Sequence, residues 1–343
     1  MTRSLLITGG AGFIGSNFVR YWAKKYPQDQ LIIFDKLTYA GNLENIFELI
    51  KEKKITFIKG DILNSHSIEI ILEKYNITHL INFAAESHVD NSINKPEEFI
   101  NTNILGTFNL LNSFKLHWES KKNPKNFLFL QISTDEVFGS LGLDDSPFNE
   151  KTAYSPRSPY AASKASSDHL CKAWFNTYGL PIIVSNCSNN YGPFHYPEKL
   201  IPLTITNILL NKPIRLYGDG KNIRDWLFVY DHCSALEKII SHGKLGSSYC
   251  IGGSNEIKNI NLVNMICNIL DKKEFPNKRK CSKDLITFVT DRLGHDLRYA
   301  IDSSILKNEL NWQPQTQLLN GLEKTINWYL NNKKWWEPLL KNS

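Results

Sequence analysis

The chain has 343 residues, of which 42% are hydrophobic, 22% charged and 12% aromatic, a globular balance that excludes collagen-like, disordered and disulfide-stapled classes. A folded chain of this length buries about three quarters of the surface of its unfolded form, enough for two lobes around a sizeable core. The formal charge of +6 comes from 40 basic and 34 acidic residues; apart from short runs at 51–54 and 277–283 the cations are scattered, which argues against nucleic acid as a partner and equally suits a phosphorylated small molecule.

From the N-terminus, short apolar runs rich in β-branched residues alternate with longer amphipathic stretches, the signature of βαβ units around a parallel sheet. Strands are predicted near 4–8, 31–35, 55–59, 79–84, 127–133 and 182–187, with helices near 13–25, 65–75, 97–118 and 158–178. After about Asn190 the pattern loosens into loops rich in Pro and Gly, then short helical segments ending in an aromatic helix with Trp328, Trp335 and Trp336. The expected fold is α/β: a doubly wound, Rossmann-like parallel sheet over 1–190, then a smaller α/β substrate lobe over 191–343, some of whose segments return to the first domain.

The stretch 1–15 resembles a secretory signal superficially, but Gly9, Gly10 and Gly12 break its apolar run and no small-residue cleavage pattern follows. No apolar run approaches the ~20 residues needed to span a bilayer, so a soluble, cytoplasmic protein with no membrane partner is expected. The six cysteines, Cys171, Cys187, Cys233, Cys250, Cys267 and Cys281, lack the close spacing of zinc or redox sites. No metal is expected, and the cysteines read as buried thiols in a reducing compartment.

Gly9, Gly12 and Gly15 follow the first strand and open the first helix with the spacing G-x-x-G-x-x-G. In such a turn the first glycine permits the bend, the second brings the backbone close to a pyrophosphate and the third packs helix on strand, leaving the helix N-terminus facing the anion. Asp35, twenty residues beyond Gly15, stands where a carboxylate hydrogen-bonds an adenosine ribose. Together they predict dinucleotide binding. Asp35 repels the 2′-phosphate of NADP and favours NAD, while the adjacent Lys36 weakens that discrimination. Gly60-Asp61-Ile62 holds the adenine or forms a plain turn.

Tyr160 and Lys164 are four residues apart, hence on one helix face, where the cation is expected to favour the phenolate. Tyr21/Lys25, Tyr217/Lys221 and Tyr329/Lys333 have the same spacing, so position decides. Tyr160 lies 26 residues after Thr134, which ends a predicted buried strand, and ligands of open parallel sheets sit at such strand ends. The Thr134 hydroxyl polarises a substrate oxygen that Tyr160 deprotonates, giving the parts of an alcohol oxidation with hydride passing to a nicotinamide. Asp135 and Glu136 follow at once. They form a second acid/base couple that alcohol oxidation does not need but elimination of water does, since neighbouring carboxylates in different environments hold different protonation states.

On these residues the chain resembles the extended short-chain dehydrogenase/reductase superfamily, and Ser133-Thr134-Asp135-Glu136-Val137-Phe138-Gly139 resembles the dTDP-glucose 4,6-dehydratase family. Similar blocks are Ala84-Ala85-Glu86-Ser87-His88-Val89-Asp90, Cys187-Ser188-Asn189-Asn190-Tyr191-Gly192-Pro193, Arg224-Asp225-Trp226 and the segment 291–299. The resemblance implies a hydro-lyase acting on a nucleotide-sugar with tightly bound NAD, its product a precursor of deoxysugars in surface polysaccharide. Tyr160, assisted by Lys164 and Thr134, takes the 4-hydroxyl proton as hydride leaves carbon 4; Glu136 removes the carbon-5 proton while protonated Asp135 donates to the departing 6-hydroxyl; hydride then returns to carbon 6.

By the same resemblance the NAD site comprises Gly9, Gly12, Phe13, Ile14, Gly15, Asp35, Lys36, Leu37, Thr38, Asp61, Ile62, Ala84, Ala85, Ser87, Thr102, Tyr160, Lys164 and Asn190. The nucleotide-sugar is held by Ser87, Thr134, Asn189, Lys199, Leu200, Arg215, Tyr217, Arg224, Asn259, Asp291, Arg292, His295, Asp296 and Tyr299, with Arg224 at the diphosphate. Leu293 departs from the family's usual Pro and frees the backbone of that wall. The helices near 97–118 and 158–178 resemble those through which the family forms homodimers by a four-helix interface, so the resemblance implies a homodimer. An epimerase or decarboxylase of the superfamily remains an alternative, although neither needs Asp135 and Glu136; so do a non-catalytic NAD-binding scaffold and a uridine in place of the thymidine.

Overall fold

The computed structural model describes residues 2–274, 281–291 and 294–341. Its strands are β1 (Ser4–Thr8), β2 (Gln30–Asp35), β3 (Thr56–Lys59), β4 (His79–Asn82), β5 (Leu128–Thr134), β6 (Ile182–Cys187), β7 (Asn189–Tyr191), β8 (Ile214–Tyr217), β9 (Ile223–Phe228), β10 (Ser248–Ile251), β11 (Glu256–Lys258) and β12 (Ile286–Val289). Seven of them form one sheet in the order β10-β6-β5-β4-β1-β2-β3, with every neighbouring pair parallel.

The central strands are apolar on both faces because helices cover both. Leu5, Ile7, Leu31 and Ile33 point to one side, where Phe18, Trp22 and Leu236 pack on them. Leu6, Ile32, Phe34 and Leu80 point to the other, against Ile68, Leu110, Phe114 and Cys171. The chain leaves β1 for β2 and β3 on one side, then crosses to β4 on the other. This reversal opens a crevice at the C-terminal ends of β1 and β4, the position at which doubly wound sheets bind ligands.

The helix expected over 97–118 is one helical path of three segments. A short α-turn, Pro96–Phe99, runs into a π-helix, Ile100–Gly106, and then into an α-helix, Thr107–Ser120. The wide turn directs Asn103 inward, where it accepts from the Glu86 amide (2.9 Å) and donates to the Glu86 carbonyl (3.0 Å) and the Ser163 hydroxyl (2.8 Å). Those bonds compensate the disrupted helical pattern, as at other π-bulges near functional sites.

The second half is more regular than its loop-rich sequence suggests. It contains helices Val229–His242 and Asn259–Glu274, a three-stranded sheet β11-β9-β7 and a pair β12-β8. These surround a core that includes Ile201, Ile205, Trp226, Leu262, Ile266 and Tyr329. β10 leaves this half and joins the edge of the large sheet beside β6. The expected aromatic helix ends at Asn331, and Trp335 and Trp336 occupy a separate turn, Lys333–Trp336, in which the Trp336 indole donates to the Tyr329 carbonyl (2.8 Å). Five cysteines are buried free thiols, whereas Cys281 is exposed, correcting the expectation for that residue. No helix among the described residues is long and apolar enough to cross a membrane.

Candidate active site

A cavity of about 900 Å³ lies in the crevice, with the C-terminal ends of β1, β2, β4 and β5 as its floor and segments of the second half as its far wall. Gly9 has φ +67°, and a Cβ there would stand 2.6 Å from the Ala84 amide nitrogen. A Cβ on Gly15 would strike the Gly9 carbonyl oxygen. Gly12 caps the helix Phe13–Lys25 without a side-chain hydrogen bond, so first-turn amides that no side chain occupies face the cavity with the positive end of the helix dipole. This cradle, which side chains would fill, fits a dinucleotide diphosphate.

Asp35 ties the loop to the end of β2. Its two carboxylate oxygens accept from the amides of Ala11 (2.9 Å) and Leu37 (2.8 Å), burial raises its pKa, and each oxygen keeps a lone pair for a ribose hydroxyl. Lys36 pairs with Asp61 at 2.7 Å. Its charge is already engaged, so it offers a 2′-phosphate little, and NAD is the better fit. Phe13, Ile14, Thr38, Ile62, Ala84, Ala85, Ser87, Thr102 and Asn190 also line the cavity. Leu37 does not. With φ +57° it turns its side chain onto the core and serves through its amide.

Thr134 ends β5 and caps the 3-10 turn Asp135–Phe138, its hydroxyl accepting from the Glu136 amide (3.3 Å) and donating to Asp135 (3.2 Å). Asp135 is 1% exposed. Burial foremost, then the charges of Glu136 and Asp225, push its carboxyl well above the usual range, against smaller pulls from the Thr134 hydrogen bond and then Arg224. Asp135 therefore holds its proton far more strongly than an ordinary aspartate. Tyr160 enters from the helix Pro159–Tyr178, which is capped by Ser158 and started by a proline.

The effect of Lys164 departs from the expectation. Burial and the nearby Glu136 charge push the Tyr160 phenol well above its usual pKa, while the Thr134 hydroxyl pulls the other way. The Lys164 ammonium donates to the Ile132 carbonyl at 2.7 Å, and burial lowers its own pKa. Desolvation thus outweighs the cation among these groups.

The far wall brings Asn189, Lys199, Leu200, Arg215, Tyr217, Arg224, Asn259, His295 and Tyr299 to the same cavity. Arg224 is buried, with its guanidinium 4.3 Å from the Tyr299 ring centre and one arm donating to the Asp296 carbonyl (3.0 Å). Lys199 donates to the Ser87 carbonyl (3.1 Å) and Tyr217 to Asp90 (3.2 Å). The side-chain oxygens of Asn189 and Asn259 are buried without a hydrogen-bond partner among the described residues, a cost that a ligand donor would relieve. Asp291 and Asp296, expected at the nucleotide-sugar, do not line the cavity. Asp291 accepts from His295 (2.6 Å), and Asp296 accepts from the Tyr299 hydroxyl and pairs with Arg157 (3.1 Å). Arg292 and Leu293 lie outside the described residues.

Some cavity residues have no signal in the sequence. Glu198 lines the wall beside Lys199, accepts from Tyr39 (3.1 Å) and approaches His88 (3.9 Å). His195 stacks on Phe13 with ring centres 4.1 Å apart, and burial lowers its pKa to about 3, leaving it neutral. Among the described residues no group of three or more His, Cys, Asp or Glu forms a metal site.

The family model described as GDP-mannose 4,6 dehydratase matches residues 6–325. A dTDP-glucose 4,6-dehydratase from Neisseria meningitidis serogroup B is 50% identical over 345 residues, spanning 99% of this chain and 97% of that protein. The chain belongs to the dTDP-glucose 4,6-dehydratase family. Among solved structures of this family, the Bacillus anthracis enzyme in complex with NAD has a TM-score of 0.87 at 44% identity, covering 98% of this chain and 100% of that one. The Streptomyces venezuelae enzyme, also solved with NAD, has a TM-score of 0.90 at 40% identity, covering 98% and 99%.

Proposed function

We propose that this protein dehydrates dTDP-glucose to dTDP-4-dehydro-6-deoxy-glucose with a tightly held NAD. The observation that carries the reading is Asp135, a fully buried carboxyl held toward its protonated form, directly beside Glu136 and Thr134 and in the same cavity as Tyr160 and the glycine loop. The glycine loop and Asp35 would hold the NAD, which would supply a reversible hydride acceptor for the oxidation at carbon 4 and the reduction at carbon 6.

The remaining work belongs to the chain. Tyr160 takes the proton of the 4-hydroxyl, with Thr134 polarising that oxygen and Lys164 supplying positive charge beneath the phenol. The ketone so formed acidifies the proton on carbon 5, which Glu136 removes. Asp135 donates its proton to the departing 6-hydroxyl, and the two carboxyls thereby handle opposite ends of the eliminated water. Arg224 and Lys199 neutralise the diphosphate, and Asn189 and Asn259 offer acceptors to the rest of the nucleotide-sugar.

The division into a cofactor domain over 1–190 and a nucleotide-sugar lobe over 191–343, with β10 returning to the large sheet, belongs to the same reading. So does a homodimer. Ile100, Leu105, Phe108 and Leu116 are exposed along the π- and α-helical path, and pairing that face with a second copy would cover them. Five buried free thiols suit the reducing cytoplasm. Mass measurement in solution tests the dimer, with Leu116→Asp expected to give monomer.

Incubation of purified protein with dTDP-glucose and no added NAD tests the function. Loss of one water with a new methyl proton signal is the expected result. An isomerised sugar of unchanged mass would move the assignment to an epimerase, and no change even with NAD supplied would reject it.

A further inference from the structure

On the helix Pro159–Tyr178, Asp168 lies four residues beyond Lys164 and eight beyond Tyr160, so the three share a face. Its side chain is 0% exposed. One carboxylate oxygen accepts from three donors, the hydroxyls of Ser133 (2.6 Å) and Tyr154 (3.0 Å) and the Asn186 amide (3.1 Å). The other oxygen is buried with no hydrogen-bond partner among the described residues. A carboxylate so placed is expensive unless a positive charge nearby compensates it. The Lys164 ammonium, 4% exposed and bonded to a neutral carbonyl, has the complementary problem.

We propose that Asp168 is a positioning residue of the dehydratase, the buried counter-charge that keeps Lys164 an ammonium beneath Tyr160 and anchors the end of β5 on which Thr134 and Asp135 stand. The anchoring is direct, because Ser133 precedes Thr134 and Asn186, besides bonding Asp168, donates to the Thr134 carbonyl (3.2 Å).

Among the described residues, Asp168 is the one carboxylate that acts on Lys164. It raises the lysine pKa against burial, with smaller contributions in the same sense from Cys171 on its own helix and Cys187 on β6. Asp168 is in turn raised by burial and lowered first by Lys164, then by its three donors, of which Tyr154 is the titratable one. The Lys172 ammonium lies 4.7 Å from the Tyr154 ring centre. Asp135 and Glu136 act on Tyr160.

The inference rests on the dehydratase reading for its kinetic test. Asp168→Asn keeps the shape and removes the charge, so Lys164 loses its proton at lower pH. The alkaline limb of kcat/KM should move down by about one pH unit, with bound NAD and KM unchanged. Tyr154→Phe removes a neutral donor to the same oxygen and should leave that limb where it is. An unmoved limb in Asp168→Asn, or an equal shift in Tyr154→Phe, overturns the proposal.

Lys164 can also be read directly in the wild-type protein, without turnover and without a variant that must fold around a missing charge. In ¹³C-lysine-labelled protein its Cε resonance, assigned by its absence from Lys164→Arg, should stay at the ammonium position through neutral pH. A neutral amine at pH 7 overturns the proposal whether or not dTDP-glucose is the substrate.

Discussion

The two ends of the cavity are built by opposite means. The cofactor floor is backbone: glycines that admit no Cβ, uncapped helix amides, and a carboxylate whose oxygens hold the loop in place. The catalytic corner is made of side chains, with Asp135, Tyr160, Lys164 and Asp168 all ionisable and all buried. Shape alone suffices for the floor, since a diphosphate needs only donors at fixed positions. The corner must store electrostatic free energy, because its acid and base work by holding protons away from their ordinary affinities. Damage to the floor should therefore empty the site, whereas damage to the corner should leave it loaded and idle.

Tyr160→Phe breaks the corner most deeply. Turnover should fall by about 10³-fold, with the purified protein retaining its full complement of NAD and showing no NADH absorbance when dTDP-glucose is added. Loss of NAD from this variant would mean that corner and floor are not separable. Asp135→Asn is milder and stops the cycle later. Carbon 4 is still oxidised, so NADH should accumulate while release of water slows by about 10²-fold. Unimpaired dehydration would remove Asp135 from the mechanism.

Gly15→Ala attacks the floor. Its methyl meets the Gly9 carbonyl, which is backbone and cannot step aside as a side-chain tip would. The variant should lose about 1–3 kcal/mol of stability and purify with little NAD, measured by acid release of the nucleotide, and excess NAD should restore part of its turnover. A fully loaded Gly15→Ala protein would show that the loop has slack the geometry does not suggest.

The same contrast decides what could be read from the sequence. The floor was legible because its determinants are local: three glycines in one turn, and a carboxylate at the end of the next strand. The corner was legible in its residues and misjudged in its energetics. The spacing of Tyr160 and Lys164 suggests that the cation governs the phenol, but burial, which no spacing reveals, is the larger effect. The π-helix at 100–106 has no periodic signature, since a single wide turn is fixed by Asn103 bonding to Glu86, a tertiary contact. β7 and β11 have three residues each, too few for a two-residue period to register. Glu198, like β10, joins distant partners only once the chain is folded.

The catalytic corner carries a cost in stability. An aspartate in the unfolded chain titrates near a pKa of ~3.9, whereas the folded-state pKa of Asp135 is well above it. Between those two values the folded chain binds more protons than the unfolded one, so wild-type stability falls as pH rises through the window and is fully present only below the unfolded pKa. Asparagine has no proton to lose. Asp135→Asn should therefore be the more stable protein at neutral pH, with the advantage shrinking to nothing as pH is lowered toward 4. Urea melts of the two proteins across that range measure the difference. A variant less stable than wild type at pH 7 would show that the buried carboxyl contributes more through its bond with Thr134 than it costs through its charge, and the catalytic corner would then be no more strained than the floor.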